Sequence, residues 1–248
     1  MDVASSSEYP ETADIETSSA GYAARFAGPT GEWLLRKQER IVVQLLKRAG
    51  VRTVLDVGGG HGQLAHPLAR EGFEVTVLGS APVCAVRIQD LIDQQRCRFV
   101  TGNVIALPFP DRSFDAVLSV RLLPHCEQWS KLIRELARVA RQLVVVDYPH
   151  ASGLNALAPW LFEAKKKMEK NTRTWRNFSH REVVDAFASA GCNPVSRRGQ
   201  FFWPMVLHRA IKSPTLSTAL EWLPAALGLT ARLGTPVLAA FHTDTRAR

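Results

Sequence analysis

The stretch Val51–Gly62 constrains this chain more than any other. Val51-Arg52-Thr53-Val54-Leu55-Asp56-Val57 is an apolar, β-branched run of strand length, and Gly58-Gly59-Gly60-His61-Gly62 follows without a spacer. A helical stretch through Arg70 comes next. Glycine lets the main chain turn through positive φ and lets a ligand approach the backbone beside the positive end of the following helix. A strand, a glycine turn and a helix in succession thus read as the opening of a ligand-binding βα unit. The spacing separates ligand classes. A dinucleotide fingerprint needs G-x-G-x-x-G, but the sixth position from Gly58 is Gln63, and no Gly-Lys-Ser/Thr follows to make a phosphate loop. What stands here is G-x-G-x-G with an acid, Asp56, two residues before the first glycine.

Around this unit the chain alternates. The apolar positions Leu34, Leu35, Val42, Leu45 and Leu46 predict a helix from Thr30 to Ala49, stopped by Gly50. Further strands are predicted at Glu74–Leu78, Arg98–Thr101, Phe114–Val120 and Gln142–Val146, with helices at Ala81–Gln95 and Glu127–Arg141 between them. Strands separated by helices imply βαβ units and a parallel, doubly wound sheet. Beyond Asp147 the pattern changes to helices at Asn155–Lys170 and Ser179–Ala190, a strand at Asn193–Phe202, and a helical stretch Pro204–Thr230 broken by Pro214 and Pro224. A last strand is expected at Pro236–His242. The expected class is α/β: a Rossmann-like, doubly wound, mostly parallel seven-stranded sheet with an antiparallel last strand and a helical lid.

Composition removes other classes. The 248 residues suit one α/β domain, with hydrophobic residues at 46% and charged ones at 22%. Residues 1–20 are Ser/Thr/Glu-rich and are expected not to fold, leaving one domain over 21–248 with helical insertions near 151–178 and 204–233. Cys84, Cys97, Cys126 and Cys192 form no CxxC pair, so no metal site is indicated, and reduced thiols fit a cytoplasmic protein. The most apolar region, Leu220–Ala240, is interrupted by Glu221, Pro224 and Arg232 and reads as no membrane span. The net charge of +8 raises a nucleic-acid partner, but its cations are dispersed and no aromatic-interleaved basic motif accompanies them, which argues against one.

Two motifs in order carry a family resemblance. Val54-Leu55-Asp56-Val57-Gly58-Gly59-Gly60-His61-Gly62 resembles motif I of the class I S-adenosylmethionine (SAM)-dependent methyltransferases. Gly102-Asn103-Val104-Ile105-Ala106-Leu107-Pro108-Phe109-Pro110-Asp111 with Ser113-Phe114-Asp115-Ala116-Val117 is similar to a signature of the ubiquinone/menaquinone-type branch. Leu136-Ala137-Arg138-Val139 resembles the helix that follows it there. Motifs cover about residues 21–148, and the remainder resembles the family by architecture only.

The resemblance implies a cofactor, SAM, and a set of binding residues. Gly58, Gly59, Gly60 and Gly62 would pass the backbone under its methionine part, and Asp56 would orient the loop and the amino group. Asn103 stands where the family has Asp and would face the adenine amino group; Val104 would touch the ring. Val120 and Arg121 would close the methionine pocket, and Tyr22 would fold over the cofactor from the N-terminal side together with Arg25 and Phe26. One departure stands out: Gly79 occupies the place of the ribose-binding acid at the end of the second strand, leaving Ser80 to make at most one bond there.

The reaction implied is methyl transfer to an O, N or C atom of a small molecule. Alignment supplies most of the acceleration, and a base is needed only for an acceptor that keeps its proton. His125 and His150, on loops at the carboxyl edge of the sheet, are the base candidates, though a packing role is the more ordinary reading of each. His61 is read as shaping the glycine loop and Asp115 as a structural cap. The aromatics Trp160, Phe162, Trp175, Phe178, Phe201, Phe202 and Trp203 in the added part favour an apolar or aromatic acceptor. Two alternatives stay open at this point: a SAM-binding protein that regulates or scaffolds without methylating, and an RNA methyltransferase. A homodimer is compatible with the sequence.

Overall fold

The computed structural model describes residues 9–151 and 175–244. Seven strands form one sheet in the order β3-β2-β1-β4-β5-β7-β6. They are β1 (Thr53–Val57), β2 (Glu74–Gly79), β3 (Cys97–Thr101), β4 (Phe114–Ser119), β5 (Ala140–Tyr148), β6 (Cys192–Phe201) and β7 (Thr235–Thr243). The pairs from β3 through β5 are parallel, and β7 runs antiparallel to both of its neighbours, β5 and β6. This is the expected Rossmann-like sheet, with helices on both faces.

Alternation along the strands builds two cores. In β5, Leu143 and Val145 join one apolar cluster while Val144 and Val146 join the other, because successive side chains leave a strand on opposite faces. One cluster is closed by α3 (Gly28–Ala49), α4 (Ala65–Arg70) and α5 (Gln89–Asp93), the other by α6 (Trp129–Val139) and α7 (His180–Ser189). Strands covered on both faces need apolar residues at nearly every position, which is why β1, β4 and β5 read as continuous hydrophobic runs. Helix α7 starts where expected: the Ser179 hydroxyl accepts the Glu182 N–H, capping its first turn.

The structure differs from the sequence expectations in three places. Residues 13–20 fold: α1 (Ala13–Thr17) and the first residue of α2 (Ala20–Ala24) lie in what was expected to be an unfolded tail. A five-residue helix is too short to show periodicity, and tertiary contacts described below hold it in place. The predicted helix Ala81–Gln95 divides into a 3-10 stretch, Pro82–Ile88, and the short α5. Pro224 does not break its helix. The C-terminal helices are α8 (Met205–Ile211), α9 (Pro214–Ala226) and α10 (Leu229–Leu233), and Pro224 lies inside α9. A proline leaves the carbonyl four residues back without its donor. Here the Trp203 indole Nε1 donates to that carbonyl, Leu220 O, at 3.3 Å. Pro214, by contrast, opens α9 at its first turn, where the missing N–H costs nothing. The predicted helix Asn155–Lys170 lies outside the described residues, as do residues 1–8. No described helix is long and apolar enough to cross a membrane.

Candidate active site

The parallel strands β1 to β5 bring their carboxyl ends to one edge, where the glycine turn, Gly79, Asn103 and Val120 with Arg121 stand at or just after the ends of β1, β2, β3 and β4. Gly58 leaves β1 with φ +76°, a left-handed conformation that favours glycine, and its N–H donates to Leu78 O at 2.8 Å. A Cβ there would meet Leu122 Cδ2 at 3.0 Å. The turn continues as a single 3-10 turn, Gly59–His61.

Asp56 sits at the floor of this turn. It is buried, and its Oδ1 finds no hydrogen-bond partner among the described residues. Burial alone pushes its carboxyl up to about 7. A Cβ on Gly59 would lie 2.2 Å from Asp56 Oδ2, so the acid and the glycine are a matched pair. His61 is packed edge-on against Tyr22 (5.4 Å) and Phe26 (5.8 Å), and neither ring nitrogen has a partner among the described residues. Burial, then Arg121 and Arg87, hold its pKa down at about 3, so it is neutral and makes no base. Tyr22 therefore reaches the glycine loop through His61.

At the end of β4, Arg121 has φ +66° and points its guanidinium over Phe26, 4.1 Å from the ring centre. Its N–H donates to Asp147 Oδ1 at 2.6 Å, and one of its side-chain nitrogens, Nη2, donates to Gln38 Oε1 at 3.2 Å. Gln38 in turn donates to Asp147 Oδ2 at 2.9 Å and accepts from Gln63 at 2.7 Å. Arg121 Nη1 is buried with no partner among the described residues and belongs, with Val120, Asp56 and Gly58, to the lining of a small cavity beside the glycine turn. Sequence reasoning missed Gln38 and Asp147. The signal for Gln38 was present: an amide at the centre of the buried stripe Leu34–Gln38–Val42–Leu46.

Asn103 and Val104 follow β3. Val104 is fully buried, and Asn103 Oδ1 accepts the Ile105 N–H at 3.0 Å, leaving one lone pair for a second donor. Gly79 ends β2, and a Cβ there would collide with Cys84 Cβ at 2.6 Å and Phe99 Cζ at 3.0 Å, so no acid fits at this position. Another carboxylate reaches the same strand end. Asp14, fully buried on α1, accepts from Ser80 N at 2.6 Å and from Ser80 Oγ at 2.5 Å. The tail expected to be unfolded thus supplies a residue that sequence reasoning missed.

The two base candidates contact residues of the segment that follows the first described stretch. His125 packs edge-on against Trp175 at 5.1 Å. His150 bridges to Phe178, and its N–H donates to Thr235 Oγ1 at 3.3 Å. Asp115 is structural, as read: it accepts from Arg52 N, Thr53 N and the Arg141 guanidinium, tying β1 to β4 and β5. Of the aromatic group, Phe178 and Phe201 are buried in the fold. Trp160 and Phe162 lie outside the described residues. No group of His, Cys, Asp and Glu gathers as a metal site among the described residues.

Known proteins resemble this chain in sequence and in fold. Residues 55–144 match the model of a methyltransferase domain. The chain is 29% identical over 199 residues to the chloroplastic tocopherol O-methyltransferase of Arabidopsis thaliana, covering 70% of this chain and 57% of that protein. It is 33% identical over 122 residues to the demethylmenaquinone methyltransferase of Renibacterium salmoninarum, covering 46% of this chain and 49% of that one. The chain thus spans about half the length of these curated relatives. In fold it resembles the magnesium protoporphyrin IX methyltransferase of Synechocystis, solved with bound S-adenosylhomocysteine (SAH), with a TM-score of 0.63, 15% identity, and 92% and 96% of the two chains covered. Residues 55–144 are therefore similar to a methyltransferase domain, and the chain shares the fold of that SAH-bound structure.

Proposed function

We propose that the chain is a SAM-dependent methyltransferase acting on a small, apolar or aromatic acceptor. The observation that carries this reading is the glycine turn with Asp56 beneath it, a buried carboxylate whose Oδ1 has no described partner. Such a group is costly unless a donor arrives to meet it. An ammonium group fits that requirement, and the glycines leave room for the chain that bears it. When bound, SAM supplies a methyl group on a sulfonium, open to in-line attack. Asp56 would hold the amino group, and the free lone pair of Asn103 would take an adenine N–H. Val104 would pack on the ring, and Val120 and Arg121 would close the methionine side. Ser80 is the polar group left at the ribose end. Acceptance of the proton needs a base only for a protonated acceptor, and His125 and His150 keep that role as candidates.

The relatives named above support the acceptor class: two of them act, by name, on tocopherol and on demethylmenaquinone. The test is titration calorimetry with SAM and SAH, followed by transfer of labelled methyl from SAM to prenylated hydroquinones. Binding together with label in the organic phase is the expected result. Absence of binding would sink the reading. A second reading, a SAM-binding protein without transferase activity, is favoured by one observation, the steric exclusion of an acid at Gly79. Binding without label in any acceptor would select it.

A further inference from the structure

Residues 11–18 run across the carboxyl ends of the strands where the preceding reading puts the cofactor. Glu11 Oε1 accepts the Gln128 N–H at 2.7 Å, beyond the end of β4. Ala13 joins the apolar cluster that contains Val104 and Leu107. Asp14 takes both donors of Ser80 and lies 3.4 Å from Cys84 Sγ. Thr17 lines the cavity beside Asp56 and Gly58. Ser18 stands so close to the turn that a Cβ on Gly60 would lie 2.3 Å from its Oγ, and its carbonyl accepts from Arg87 Nε at 3.0 Å. What is left beside the glycine turn is a cavity of about 10 Å³, room for one water, where small-molecule sites span roughly 300–1,000 Å³.

The chemistry of the segment is as informative as its place. Its buried members are mainly polar: Glu11, Asp14, Thr17 and Ser18 are each no more than 7% exposed, and Ala13 is the buried apolar one. A segment meant as permanent core would bury large apolar side chains. This one is held by hydrogen bonds, whose net contribution is modest because water or a ligand replaces them readily. The donors it consumes at Ser80 are those that a ribose edge would otherwise meet.

We propose that residues 11–18 are an autoinhibitory strap that fills the nucleoside side of the cofactor cleft through Asp14, and that SAM binds only as the strap leaves. The proposal rests on the assignment of this cleft to SAM. The apparent affinity for SAM and SAH is then the intrinsic affinity multiplied by the fraction of molecules with the strap released. Anything that withdraws the strap, such as a partner or modification engaging the N-terminal segment, switches the enzyme on.

The test uses the full chain and SAH. In Asp14→Cys, the new thiol faces Cys84, so oxidation locks the strap in place and reduction frees it without its carboxylate anchor. The expected results are that Asp14→Ala and reduced Asp14→Cys bind SAH about tenfold tighter than the native chain, as for a strap closed in about nine molecules of ten. Oxidised Asp14→Cys should lose binding and regain it on reduction. Hydrogen exchange of residues 9–20 in the native chain should speed up when SAH is added. Weaker binding by Asp14→Ala, with slower exchange of 9–20 under SAH, would overturn the strap and make Asp14 a ligand of the ribose. Unchanged affinity in both variants would overturn it as well. Failure of every form to bind SAH or SAM would instead remove the SAM assignment, and the strap with it.

Discussion

Asp56 and Glu221 are two buried carboxylates in one chain, and their surroundings are opposite. Asp56, at the glycine turn, has Oδ1 without a described partner, and burial alone lifts its pKa to about 7. Glu221, inside the C-terminal helix α9, is also buried, and burial pushes its pKa up as well. Hydrogen bonds from His208 and from the N–H groups of Phe202 and Trp203, with Lys37 nearby, more than offset this and hold it below the usual carboxylate value. The fold has spent donors on the second and withheld them from the first. The charge of Glu221, met by protein donors, ties α9 to the fold, whereas the bare oxygen of Asp56 leaves a place for a donor. Among the described residues, unpartnered buried polar atoms occur at the glycine edge on Asp56, His61 and Arg121, while both carboxylate oxygens of Glu221 are met by donors.

That contrast predicts opposite mutational signatures. Glu221→Ala leaves His208 and two main-chain N–H groups buried without their acceptor and should cost about 3–5 kcal/mol, read by urea denaturation, with SAH affinity within a factor of two of native. A large loss of affinity would mean that the two regions are not separate.

Asp56→Asn should do the reverse. Because the folded pKa of Asp56 is raised above 3.8 to about 7, its contribution to stability is complete below about pH 4 and is lost as pH rises through 7. Asparagine removes that loss, so the variant should be more stable than native at pH 8, by up to ~4 kcal/mol at roughly 1.4 kcal/mol per pH unit, and no more stable at pH 4. Glu221, with a lowered pKa, contributes stability above about pH 4.5 that is lost as pH falls. Native SAH binding should weaken below pH 7 as Asp56 takes a proton, and this slope should vanish in Asp56→Asn. A pH-independent native affinity would detach Asp56 from the ligand.

Gly58→Asp, at a left-handed position against Leu122, should lower SAH affinity by about a hundredfold, roughly 2.7 kcal/mol. Its circular dichroism spectrum should stay native. The smallest effect belongs to the C-terminal helices. Trp203→Phe removes the donor to the Leu220 carbonyl above Pro224 and should cost about 1 kcal/mol, seen as a small drop in urea midpoint with cofactor binding unchanged.

Much of this molecule is legible in one dimension because parallel strands buried on both faces must be apolar throughout. The runs at 53–57, 114–119 and 140–148 stand out for that reason, and the glycines after β1 stand out because main chain alone fits the turn. The division of the stretch after β2 was not legible, since Cys84 and Arg87 are placed by contacts with α1 rather than by any local period. Nor was the continuity of α9 through Pro224, which depends on an indole 17 residues away in sequence reaching the stranded carbonyl. Local rules priced that proline correctly and could not see its compensation.

The sequence by itself determined the sheet, its order of βα units and the glycine turn with Asp56, because each is written in contiguous residues whose periodicity and backbone freedom are local properties. Only the tertiary structure decided which groups complete the cleft. Gln38 and Asp147 come together from positions 109 residues apart, and Asp14 meets Ser80 across 66. A hydrogen bond between distant residues leaves no period in the chain. It exists only once the sheet has brought its strand ends to one edge.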